Sequence, residues 1–148
     1  MLFARIAVCC LLLSALSACA AGQRPVDGKA GGVNLEDLAG RTYYLVRMNG
    51  QDVAGANAPE LSFSADTGRA SGRACNRFTG AASIENGTLT LKHIASTRMT
   101  CFQPFLNEME QIVFDMLQNG ARISLDGQEL TLTRGDHTLV YALPSPKG

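Results

Sequence analysis

The chain has 148 residues, 46% of them hydrophobic and 18% charged, with a formal net charge of zero. That length suits one ordinary domain with its own core. The hydrophobic content argues against general disorder, and the charge balance argues against a dedicated nucleic-acid binder.

The first stretch reads as a targeting segment and not as part of the fold. Met1-Leu2-Phe3-Ala4-Arg5 is a short region with one positive charge, and Ile6 to Leu16 is an apolar run. The run is shorter than the roughly 20 residues a membrane-spanning helix needs, and it has the length of a signal-peptide core. Leu16-Ser17-Ala18-Cys19 follows. It resembles the bacterial lipobox, in which a leucine and two small residues precede the cysteine that is acylated and becomes N-terminal. Ordinary cleavage after Ala18-Cys19-Ala20 is the competing reading. A buried N-terminal helix is a poor third, since glycines and a proline follow. Residues 1–18 are therefore expected to be a signal peptide, with lipidation at Cys19. One acyl chain anchors marginally and two or more hold firmly. Ala20 is not Asp, which in a Gram-negative host favours the outer membrane, facing the periplasm. Losing Arg5 takes the formal charge from zero to −1.

Residues 19–33 carry Gly22, Pro25, Gly28, Gly31 and Gly32 and read as a lipidated tether. Asn34 to Gly40 looks like a short helical turn, capped by Asn34 and stopped by Gly40. Thr42 to Met48 is rich in strand formers and ends at Asn49-Gly50. Gln51 to Glu60 reads as a loop, and Leu61 to Ser64 as a half-buried strand. Arg69 to Ala74 alternates arginines and Ser71 with Ala70, Gly72 and Ala74, and small inward residues suggest close approach of another element. Ala81 to Glu85, Asn86-Gly87 and Thr88 to Lys92 read as a hairpin, because both turn residues tolerate positive φ. Pro104 suits the first turn of a helix whose apolar face is Phe105, Leu106, Met109, Ile112, Val113, Met116 and Leu117. Asn119-Gly120 stops it. Ile123 to Leu132, turning at Asp126-Gly127, makes a second hairpin, and Thr138 to Leu143 a last strand after Arg134-Gly135-Asp136. Residues 144–148 are a tail. Short connections imply antiparallel pairing. One helix cannot cover so many strands, so a single α+β domain is expected over residues 34–143. In it a curved antiparallel sheet, bent into a partial barrel, packs against one long helix.

Five cysteines are present. Cys9 and Cys10 leave with the signal peptide and Cys19 is acylated, so Cys75 and Cys101 remain in an oxidising compartment. A disulfide closing that loop is worth about 3–4 kcal/mol. The alternatives are two structural thiols, a metal site or a cysteine nucleophile. A zinc site wants three or four ligands with close pairs, and His93 and His137 form none. Cys75 with His93 as base would need a contact that spacing does not supply. Asn76 and Gly80 read as the ends of a tight loop shaped by Asn76. In the functional reading Asn76 and Arg77, with Arg98, present themselves to a partner, since loop arginines make forked contacts with anions. Arg69, Arg73, Arg77 and Arg98 are otherwise a solvated face. Glu108 suits the start of the helix or pairs with Arg77 or Arg98, and Met99 reads as core.

These residues carry a resemblance. Gly72…Cys75-Asn76-Arg77-Phe78-Thr79-Gly80, Ile94 to Cys101, and Asn107-Glu108-Met109-Glu110 together resemble the META domain. Asn86 to Thr90, Met116-Leu117 before Gly120-Ala121, and Leu130-Thr131-Leu132 with His137-Thr138-Leu139 extend the match. Tyr43 and Tyr44 stand where many such domains carry Trp. The resemblance implies a curved antiparallel sheet against a helix, in an envelope protein linked to heat stress and novobiocin tolerance. Members of that family are not established enzymes, and the resemblance carries over no cofactor. A non-enzymatic lipoprotein that binds an envelope partner or supports the envelope is the expected function. A lipid or small-molecule carrier, with an apolar cavity inside the partial barrel, is the alternative. A cysteine-dependent enzyme comes third.

Overall fold

A computed structural model of the chain describes residues 32–53 and 58–144. The expected signal peptide, Cys19, nearly all of the tether and the tail beyond Pro144 lie outside these residues, as does part of the loop after β2. Two helices, α1 (Leu35–Leu38) and α2 (Pro104–Asn119), accompany nine strands. These are β1 (Thr42–Met48), β2 (Gln51–Asp52), β3 (Glu60–Phe63), β4 (Arg69–Arg73), β5 (Arg77–Glu85), β6 (Thr88–Ser96), β7 (Ala121–Asp126), β8 (Glu129–Arg134) and β9 (His137–Ala142).

All pairings are antiparallel, and β1 also pairs with β9, so β1 and β3 to β9 close into an eight-stranded barrel. This corrects the expected partial barrel. The cause is the length of β1. Thr42 to Tyr44 pair with β3, while Tyr44 to Met48 pair with Ala142 to Leu139 across a bulge between Leu45 and Arg47. One strand thereby serves both neighbours, and the ring has no free edge there. The weakest seam is β6 against β7, which the pairs Thr88–Arg122 and Leu89–Ala121 hold. Beyond it α2 packs along β6.

The hairpin turn forms as expected, with Asn86 at φ 51° and Gly87 at φ 71°. Its strands run further than the alternation suggested, to nine residues each. Gly80 therefore lies inside β5 and does not close a loop. The register slips beside it, where His93 takes φ 53°. A Cβ on Gly80 would sit 3.1 Å from both Ile94 Cγ1 and the Lys92 carbonyl.

Inward residues alternate along the strands, and one apolar cluster fills the barrel. Tyr43, Leu45, Leu61, Leu89, Leu130, Leu132 and Leu139 are fully buried, and α2 adds Met109, Val113, Met116 and Leu117. Each fully buried side chain of this size is worth about 2 kcal/mol. The space expected inside the barrel is thus taken up by side chains. Arg134 ties the end of α2 to β8: it donates to the carbonyls of Asn119 and Gly120, each at 3.0 Å, and to Asp115 at 3.2 Å. These bonds satisfy carbonyls that a helix end leaves without partners.

Gly72 shows why the inward face of β4 is small. A Cβ there would drive into the Glu60 carbonyl and come within 2.7 Å of the Phe78 ring. Gly72→Ala is expected to destabilise the fold by about 3 kcal/mol in urea unfolding, the upper range for overpacking. Tyr43 has the opposite problem: its hydroxyl is buried with no hydrogen-bond partner. Tyr43→Phe removes that unpaired group while keeping the ring, and is expected to raise stability by about 1 kcal/mol.

Candidate functional site: a cleft beside the disulfide

Ala74, Cys75 and Asn76 connect β4 to β5, and residues 97–103 lead from β6 to α2. Cys75 and Cys101 join these two connections in a disulfide, with Cα atoms 6.1 Å apart and a sequence separation of 26.

Asn76, next to Cys75, is the buried polar or charged residue among those described, at 4% exposure. Its amide nitrogen donates to the Met99 carbonyl (3.1 Å) and to Glu110 Oε1 (2.9 Å). Its oxygen accepts from the Met99 N–H (2.7 Å) and the Thr97 hydroxyl (2.9 Å). A side-chain amide has two N–H donors and two lone pairs, so nothing is left unsatisfied. Glu110 completes the arrangement from α2, since its Oε2 accepts from the backbone N–H of Cys75 (3.0 Å) and of Asn76 (2.6 Å). Bonds to a carboxylate are stronger than neutral ones. Thr97 Oγ1 also accepts from the Arg77 N–H at 3.1 Å, and the Thr97 N–H donates to the Arg77 carbonyl at 3.0 Å.

Asn76 is therefore no presented contact residue; it shapes the connection from within. Arg77 and Arg98 are exposed. Arg69 donates to Thr79 Oγ1 at 3.2 Å, and Arg73 lies 3.8 Å from Glu60. Glu108 is exposed. Glu110, two positions on, makes the link to the connection before β5. Within the Asn107-Glu108-Met109-Glu110 motif no separate role for Glu110 is expected, although a signal is there. Glu110 lies four residues after Leu106 and three before Val113, so it is an acid beside the apolar stripe of α2.

Cys75, Cys101 and Glu110 bring their side-chain donor atoms within 4.8 Å of one another. Both sulfurs are in the disulfide and both Glu110 oxygens accept N–H bonds, so the trio as built is structural. His93 is exposed on the β6 bulge, and Cys75 carries no thiolate for it to activate.

Outside the bridge lies an apolar cleft of about 730 Å³. Pro59, the disulfide, Met99, Phe102, Phe105 and Leu106 line it, among others. Met99 was expected in the core and Phe105 on the buried helix face. Instead Met99 is 64% exposed, Phe105 54% and Phe102 fully exposed, and these are the exposed large hydrophobic residues among those described. Asn76 takes up the Met99 main chain at both N–H and carbonyl, and Pro104 starts α2 one turn before its buried face begins. What the arrangement offers is an apolar recess whose floor is cross-linked by the disulfide and hydrogen-bonded through Asn76.

Asn76→Ala is expected to cost about 3 kcal/mol, because the Met99 N–H and Glu110 lose buried partners. Glu110→Gln should cost about 2 kcal/mol, since a neutral amide replaces a charged acceptor. Combined, the two should cost less than their sum, as members of one network do. The Cys75→Ser, Cys101→Ser double variant should lose about 3 kcal/mol. Urea unfolding of the four proteins measures all of this.

The META domain model matches residues 36–145. Heat shock protein HslJ of Escherichia coli (strain K12) is 40% identical over 112 residues, covering 75% of this chain and 79% of that protein. A protein solved by NMR, also 40% identical, superposes with a TM-score of 0.68 over 75% of this chain and 95% of its own. A Burkholderia xenovorans protein solved by NMR shares the fold at 21% identity, with a TM-score of 0.58 over 84% of this chain and 99% of its own. A family match across the barrel, the Asn76 connection and α2 alike means that the chain belongs to the META domain family.

Proposed function

We propose that this protein is a non-catalytic, lipid-anchored component of the bacterial envelope that acts in heat stress by binding through the cleft beside Cys75–Cys101. The observation that carries the reading is the cleft itself. Met99, Phe102 and Phe105 stand exposed on a face that a disulfide and the Asn76–Glu110 network hold rigid. Large apolar side chains held in the open mark interaction sites.

Three further points support it. The relative's name, heat shock protein HslJ, supports a role in stress, and the family resemblance adds novobiocin tolerance. The sequence Leu16-Ser17-Ala18-Cys19 supports acylation at Cys19 and an outer-membrane position facing the periplasm. A disulfide persists in that oxidising compartment. The carrier alternative loses ground, because buried side chains occupy the barrel interior where its cavity was expected.

Two experiments test this. Intact mass of the membrane-extracted protein should start at an acylated Cys19, with Cys75 and Cys101 alkylated only after reduction. Free thiols and an unmodified N-terminus would sink the anchor and the oxidised site together. In a host lacking its META-domain protein, the Phe102→Asp, Phe105→Asp variant should remain folded yet fail to restore growth at high temperature. Full restoration would remove the cleft from the function.

A further inference from the structure

We infer that the Met99–Phe102–Phe105 face seats on the lipid bilayer that carries the protein, so that these side chains enter the interfacial layer. The inference rests on the anchor and the binding face proposed above. Twelve residues, 20–31, separate Cys19 from Gly32, the first residue described. Even drawn out fully they span at most about 45 Å. The anchor therefore keeps an apolar medium, the bilayer, within that distance of Gly32. Such tethering turns docking into an intramolecular event at an effective concentration on the order of millimolar.

The face is compact in sequence. Its three apolar side chains come from one stretch, residues 99–105, and line one recess. Little ordering is needed on insertion, since Asn76 bonds both main-chain groups of Met99 and Asn107 donates to the Cys101 carbonyl at 3.3 Å. Two acids close to the recess in the fold are engaged elsewhere: Glu110 turns both oxygens inward to N–H groups, and Glu60 lies 3.8 Å from Arg73, while Asp52 and Glu108, beside the lining residues Val53 and Met109, are exposed to solvent. Thr100, Gln103 and Arg73, which share the recess, are side chains that tolerate the headgroup layer. Each phenylalanine inserted shifts the docked-to-free ratio about tenfold.

The chain has no Trp, so Phe102→Trp places a single reporter in this face. The acylated mature protein would be reconstituted into phosphatidylethanolamine–phosphatidylglycerol vesicles, with and without bromine on the acyl chains. A blue-shifted emission, quenched by the brominated lipid, is expected. Adding Phe105→Asp should cut the docked-to-free ratio by about tenfold or more, and added salt should leave it unchanged. Protein that floats with the vesicles but keeps an unquenched, water-like emission would overturn the inference while leaving the anchor intact. The face would then belong to a protein partner, provided that the Phe102→Asp, Phe105→Asp variant still fails at high temperature. Protein that does not float at all would remove both the anchor and the inference.

Discussion

Asn76 stands where three pieces of the chain meet, and its carboxamide bonds two of them at every position it has. It sits at the start of β5, holds Met99 in the segment that leaves β6, and meets Glu110 on α2. A buried amide with four partners is strongly directional, so it sets distance and orientation together. Glu110 returns the favour by accepting the N–H groups of Cys75 and Asn76, which a tight connection would otherwise leave without partners.

The disulfide adds a constraint of a different kind. It acts mainly on the unfolded chain, by shortening the loop between β4 and α2. The hydrogen bonds act on the folded state, by fixing where that loop lies. The two together hold a region where the barrel itself gives little support. There the β6–β7 seam has ended and α2 has taken the place of a neighbouring strand.

This division of labour shapes the functional reading. The apolar cluster within the barrel makes the domain stable. The outer cap is where apolar groups stay exposed, because their main chain is already committed to Asn76, the bridge and the first turn of α2. Met99 and Phe105 escape burial for that reason. An exposed face supported in this way can change its side chains without losing the fold.

Much of this was legible in the sequence. Period-two alternation marked the strands, the Asn86–Gly87 pair marked its turn, and Phe105, Leu106, Met109, Ile112, Val113, Met116 and Leu117 marked the apolar face of α2, all but Phe105 turning to the core. Cysteine arithmetic put Cys75 and Cys101 together, and the small inward face of β4 showed a close approach, which Gly72 makes. These signals are local or compositional, so a linear string carries them. Barrel closure was not among them. Alternation says which way a side chain points but not which strand lies alongside, and only the assembled ring lets β1 pair at one end with β3 and at the other with β9. Nor was the partner of Asn76. Glu110 lies 34 positions away, on an element of different period. The cleft followed from that contact, since where Met99, Phe102 and Phe105 stand depends on how the chain is held between β6 and α2.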